Sequence, residues 1–171
     1  MPQSTRLLTE DALLAECRWD FYRGSGPGGQ KRNKTSNAVH LTHLPTGVVA
    51  TATESRSLVE NKLYAVRRLR LKLATDLREP VDLARFEPPE WFLSVRRQNR
   101  IEASHRHPLY PAIAGLILDL LQALAGNPAA VAVNLGVSTT AVIKFLGSES
   151  ALWVAANEIR RRLGMTPLQR R

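Results

Sequence analysis

Residues Gly24 to Gly29 place four glycines and one proline in six positions, and Gln30 follows directly. No helix interior or central strand tolerates such a run, because glycine adds backbone entropy and proline removes a donor. The chain must therefore turn through a loop here. Without Cβ atoms, the backbone N–H groups of Gly24-Ser25-Gly26-Pro27-Gly28-Gly29-Gln30 can approach a ligand closely. Lys31, Arg32 and Lys34 come next, so the natural ligand is an anion. Neither G-x-x-x-x-G-K-[ST] nor a G-x-G-x-x-G after a buried parallel strand is present, which excludes the two common nucleotide-phosphate loops. Gln30 itself is neutral and is neither an acid, a base nor a useful nucleophile.

The charge balance points the same way. A net charge of +9 and a pI near 10.6 favour a polyanionic partner. Residues 18–106 hold 17 Lys/Arg against 9 Asp/Glu, so the contact is expected in the middle of the chain. The lone Cys17 cannot form an internal disulfide and reads as an ordinary core or boundary residue, in a protein that is intracellular or indifferent to redox compartment. Glu10, Asp11 and Glu16 argue against a secretory or mitochondrial leader. The most apolar run, Ala112 to Ala125, contains Asp119 and is too short to span a bilayer. A soluble, cytoplasmic monomer with no membrane contact is expected.

Around the loop, periodicity predicts a mixed α+β unit. Thr9 is placed to cap a short helix over residues 9–16, with Glu10 and Asp11 in its first turn. Residues 18–23 alternate as a strand, with Trp19 and Phe21 on one face. Gln30 to Thr35 allow one helical turn. Residues 38–43 and 48–53 form an antiparallel hairpin around Leu44-Pro45-Thr46-Gly47. His40 and His43 then face opposite sides, which disfavours a metal site, and the chain calls for no cofactor. Ser57 and Glu60 spell a capping box. Val59, Leu63, Val66, Leu69, Leu73 and Leu77 give the helix that follows an apolar stripe. Its cations are Lys62, Arg67, Arg68, Arg70 and Lys72, part of which are expected to face RNA.

Residues 79–108 contain Pro80, Pro88 and Pro89 and read as a basic linker. Arg96, Arg97, Arg100 and Arg106 lie downstream of Trp91 and Phe92, a mixture suited to single-stranded RNA or to docking. Beyond residue 109 the pattern is helical. Asn127-Pro128 opens one helix, and Ala132, Gly136 and Val142 have helix-turn-helix spacing. Ser138 caps the second helix of that motif, and a last helix turns Leu152, Ala155, Ile159 and Leu163 inward. The candidate recognition helix offers only Lys144 as a cation, so DNA is the disfavoured partner. The expected organisation is residues 1–78, 79–108 and 109–171.

Gly24 to Lys34 closely resembles the GGQ signature of class I peptide chain release factors. Thr35-Ser36-Asn37-Ala38-Val39, Leu41 to Val48 and Arg56-Ser57 continue the likeness, over roughly residues 18–78. Residues 107–168 also look like the C-terminal extension of some bacterial members. The tripeptides Pro-x-Thr and Ser-Pro-Phe, by which stop codons are recognised, are absent from the sequence. The chain is thus similar to the small release-factor-like proteins that rescue stalled ribosomes without reading a codon. The resemblance implies hydrolysis of the peptidyl-tRNA ester in the peptidyl-transferase centre, with the ribosome, its rRNA and peptidyl-tRNA as partners. It implies catalytic roles for Gly28, Gly29 and Gln30, with the Gln30 backbone N–H stabilising developing negative charge. RNA contacts are implied for Ser25, Gly26, Pro27, Lys31, Arg32, Asn33 and Lys34. The basic field adds Arg56, Lys62, Arg96, Arg97 and Arg100. Two other classes fit the composition: a non-catalytic ribosome or rRNA binder, and a helix-turn-helix DNA-binding regulator. The intact Gly-Gly-Gln disfavours the first, and the cation-poor recognition helix the second.

Overall fold

Alternation of apolar side chains fixes the sheet. In the computed structural model, which describes residues 4–22 and 37–169, three antiparallel strands lie in the order β1 (Cys17–Tyr22), β2 (Ala38–His43) and β3 (Val49–Ala52). Trp19 pairs with Leu41 and Phe21 with Val39, while Leu41 pairs with Ala50 and Val39 with Ala52. Directly paired residues share a face, so one face carries Trp19, Phe21, Val39, Leu41, Ala50 and Ala52. Its central members Val39, Leu41, Ala50 and Ala52 are buried. A short helix, α1 (Glu10–Ala15), precedes the sheet, and the Thr9 hydroxyl caps it by accepting from the Ala12 N–H at 3.3 Å.

The chain forms two compact units, Met1–Leu73 and Ala74–Arg171. In the first, α2 (Leu58–Asp76) covers the apolar sheet face with Ala65, Val66, Leu69 and Leu73. The buried face differs from the expected stripe at its start. Val59 and Leu63 are exposed, and the inward position one turn before Ala65 is taken by Asn61. The capping box is also modified. Ser57 Oγ accepts from the Glu60 N–H at 3.4 Å, but the Glu60 carboxylate accepts from the Ser55 hydroxyl, and Ser55 Oγ caps the Ser57 N–H at 2.9 Å.

Two helix cations close the outer edge of β3. Arg68 Nη1 donates to the Thr51 carbonyl at 2.6 Å, and Lys72 Nζ to the Val49 carbonyl at 2.7 Å. Four helical residues rise about 6 Å and two strand residues about 6.7 Å, so this i,i+4 pair matches alternate carbonyls. Cationic cover of this kind protects an edge from pairing with another chain. Arg68 also pairs with Glu54, and its guanidinium holds that carboxyl below its ordinary value. Arg70 donates to the Leu8 carbonyl at 3.0 Å.

In the second unit, residues 79–108 include α3 (Glu90–Leu93) and a two-stranded ribbon, β4 (Arg96–Arg97) with β5 (Arg100–Ile101). Four helices follow: α4 (Tyr110–Ala123), α5 (Pro128–Leu135), α6 (Thr139–Leu146) and α7 (Ser150–Arg162). Ile113, Ile117, Leu118, Leu120 and Leu121 of α4 are fully buried, as are Leu135, Leu146 and Leu152 from the other three. The α5 and α6 axes turn by 111° across three residues, within the range of a helix-turn-helix. Gly136 makes the turn possible at φ 65, and Asn127 and Ser138 cap the two helices through their side chains. The inward face of α7 is Leu152, Ala156, Ile159 and Arg160, rather than the series ending at Leu163, which is exposed. Arg160 is buried because its guanidinium is satisfied by the carbonyls of Gly126 and Thr166. Among the described residues, no single helix is long and apolar enough to cross a membrane.

Asn61 makes three hydrogen bonds from a fully buried position. Asn61→Ala should therefore lower the stability of the first unit by about 2–3 kcal/mol, since its partners lose their bonds in a dry site. Urea unfolding of the two proteins checks this, and a loss below about 0.5 kcal/mol, the range of a neutral surface change, would contradict it.

Candidate functional site

The site is organised by the two ends of residues 23–36. Serine 25, Gly26, Pro27, Gly28, Gly29, Gln30, Lys31, Arg32, Asn33 and Lys34 lie outside the described residues, as does the helical turn expected over 30–35. The residues on either side are fixed closely. Tyr22 ends β1 and pairs with Ala38 at the start of β2. Its ring meets His40 with centroids 4.3 Å apart. Asn37 is tied twice: its Nδ2 donates to the Arg56 carbonyl at 2.7 Å, and its carbonyl accepts from Asn61 Nδ2 at 2.6 Å.

Asn61 is the hub of this arrangement. Its Nδ2 also donates to the Ser55 carbonyl at 2.8 Å, and its Oδ1 accepts from the Ser55 N–H at 3.0 Å. One amide side chain thus mimics a strand partner for Ser55 while holding the chain at Asn37. The local sequence explains the need. Residues 53–57 leave β3 and enter α2 without regular pairing, so their backbone groups require side-chain partners. Asparagine is a poor helix former unless its amide is used, and that was the available signal for Asn61. The expected stripe passed over it.

The cations divide into two groups. Arg56 is exposed, and its carbonyl rather than its side chain is engaged by Asn37. Lys62 Nζ lies 5.6 Å from the Trp19 ring centroid and 5.0 Å from that of Phe21. Arg68, Arg70 and Lys72 are bonded to backbone carbonyls of their own unit. In the second unit, Arg96 donates to the Leu135 carbonyl at 3.3 Å, at the C-terminal end of α5. Its guanidinium fills the space beside Gly136 where any Cβ would collide. The Ser138 N–H donates to the Asn99 carbonyl at 2.8 Å, so the ribbon is seated on the turn of the helix-turn-helix. Arg97 and Arg100 are exposed and sit directly opposite each other across the ribbon. Glu102 lies 3.8 Å from Arg97.

Other chemistry finds little support among the described residues. Burial and the neighbouring Glu16 charge both push the Cys17 thiol up, so it keeps its proton near neutrality and is a poor nucleophile. His43 is buried between Thr46 Oγ1 at 2.7 Å and Glu16 Oε2 at 2.9 Å, while His40 lies on the opposite sheet face. No group of three metal-ligating side chains occurs among the described residues.

The RF-1 domain profile matches residues 11–105, more than half of the chain. The chain belongs to the RF-1 domain family. This is the GGQ domain of class I release factors, in agreement with the likeness of Gly24 to Lys34. Similar proteins include peptide chain release factor 2 of Corynebacterium glutamicum, 49% identical over 73 residues, which are 43% of this chain and 20% of that protein. The release factor 2 of Kineococcus radiotolerans is 52% identical over 64 residues, 37% of this chain and 17% of its own length. That of Mycobacterium avium is 52% identical over 63 residues, with the same shares. The chain thus spans about a fifth of the length of the curated relatives it matches. Within this RF-1 domain protein, the match ends at residue 105, before α4 begins.

The two classes of arginine should separate by stability. Arg96→Ala should lower the stability of the helical unit by about 1.5–3 kcal/mol, the usual contribution of a hydrogen bond to a charged group. Arg97→Ala should change it by less than about 0.5 kcal/mol. Thermal unfolding of both variants checks the assignment.

Proposed function

We propose that this RF-1 domain protein hydrolyses the ester of peptidyl-tRNA on the ribosome, independently of the codon, and so releases nascent chains from stalled complexes. The observation that carries the reading is an intact Gly28-Gly29-Gln30 inside the RF-1 match. Termination-type peptide release is the broader form of this activity, and codon-independent rescue the narrower one. The likeness of residues 107–168 to the C-terminal extension of some small release-factor-like proteins favours the narrower form.

In this reading the reaction is acyl transfer to water. The water oxygen attacks the ester carbonyl, negative charge builds on oxygen, and the bond to the terminal adenosine of the tRNA breaks. The backbone N–H of Gln30 donates to the developing oxygen charge, a term realised only as charge forms. Its side-chain amide orients the water and blocks larger nucleophiles. An amide does not take up a proton near neutral pH, so the glutamine positions groups and does not serve as a base. Gly28 and Gly29 let the backbone aim that N–H. Lys31, Arg32 and Lys34 hold rRNA phosphates, Ser25, Gly26 and Pro27 line the approach, and Asn33 orders the base of the segment.

The exposed cations Arg56, Arg97 and Arg100, with the half-buried Lys62, extend the RNA contact. Arg96 has a structural bond to Leu135, which limits its share. Residues 1–78 act as the hydrolase domain, 79–108 as the basic connecting segment, and 109–171 as a helical docking module. The protein works as a cytoplasmic monomer without a cofactor.

Gln30→Pro removes the proposed donor. It should slow peptide release from ribosome-bound peptidyl-tRNA by about 10²–10³-fold, the usual loss for one such donor. Ribosome association, read by co-sedimentation, should persist. Release by Gln30→Pro at the parent rate would overturn the mechanism.

A further inference from the structure

Phe21 occupies an unusual position for a large aromatic residue. It lies on the sheet face that α2 covers, yet it is 45% exposed, because β1 is an edge strand. Trp19, two residues earlier on the same face, is half-buried. The two rings are parallel to within 4°, with centroids 6.1 Å apart. Lys62 of α2 stands over both. On the helix beside it, Val59 is 68% exposed and Leu63 48%. The result is a partly open aromatic surface with one ammonium group over it. It lies on the strand that leads directly into residues 23–36.

Packing alone accounts for only part of this. The cation–π contact stabilises Lys62 over the rings. It leaves much of Phe21 in water, on an edge strand where apolar exposure invites aggregation. A flat ligand carrying negative charge resolves both features. Its π-face would cover the ring, and its anionic group would meet Lys62. A nucleotide in a single strand has that chemistry: every base offers a π-face, and its own phosphate lies within reach of a flexible lysine.

We propose that Trp19, Phe21 and Lys62 form a stacking site for an unpaired RNA base whose phosphate pairs with Lys62. The site uses none of Gly28, Gly29 and Gln30. It deepens the reading of the first unit as an RNA-facing domain and rests on that reading for its biological ligand, but not for its test. Stacking is tolerant of base identity, so the site would fix position without reading sequence.

The probe is a fluorescein-labelled oligoadenylate, titrated against the full chain at several salt concentrations. Phe21→Leu should weaken binding about tenfold, the effect of one lost stacked base, and leave the salt slope unchanged. Phe21→Trp should bind like the parent. Lys62→Met should reduce the slope of log affinity against log salt by about 0.7, one phosphate on a single strand. Parental binding by Phe21→Leu overturns the proposal. So does equal weakening by Phe21→Leu and Phe21→Trp, since that would reveal a role in folding and not in stacking. Running the series again in the Gln30→Pro background separates the two claims. A Phe21-dependent affinity there supports the stacking site even if the parent releases no peptide.

Discussion

The first unit depends on one buried amide. Asn61 holds the Asn37 carbonyl on one side and both backbone groups of Ser55 on the other. These bonds join the start of β2, the exit from β3 and the first turn of α2. Asn37 adds its own bond to the Arg56 carbonyl. Together with the Tyr22–Ala38 pair, they fix both ends of the segment that carries Gly28-Gly29-Gln30. A buried amide is costly unless all its groups are satisfied. When they are, it specifies one arrangement of the chains around it.

Positive charge is abundant, and the structure sorts it by use. Arg68, Arg70, Lys72 and Arg96 bond to carbonyls and stabilise an edge, a segment or a helix end. Arg56, Arg97 and Arg100 are exposed, and Lys62 stands over aromatic rings. Arg97 and Arg100 face each other across a ribbon, where like charges repel. Glu102, 3.8 Å from Arg97, offsets part of that repulsion. The Ser138 N–H donates to the Asn99 carbonyl and so seats this ribbon on the turn of the helix-turn-helix.

Much of this architecture was legible in the residues. Strict alternation in Ala38 to His43 and the Pro45–Gly47 turn specified the hairpin, and β2 occupies the expected span. Thr9, Asn127 and Ser138 announced helix starts, because a side-chain cap is a local interaction. The rest depended on tertiary partners. The apolar spacing of Val59 and Leu63 suggested burial, but both are exposed and Asn61 turns inward to bond the Asn37 and Ser55 backbone. Charge counting could not separate Arg96 from Arg97, since only the packed turn at Gly136 gives Arg96 its carbonyl partner. The Gly-Gly-Gln run was recognisable as a signature from sequence alone.

Codon-independent hydrolysis of peptidyl-tRNA is the activity proposed for this chain. The most direct measurement is the rate of peptide release by the parent protein from ribosomes carrying peptidyl-tRNA, with the A site empty, holding a sense codon, or holding a stop codon. Release in all three cases, with no preference for the stop codon, is the expected result. Release confined to the stop codon, or none from any complex, would contradict it.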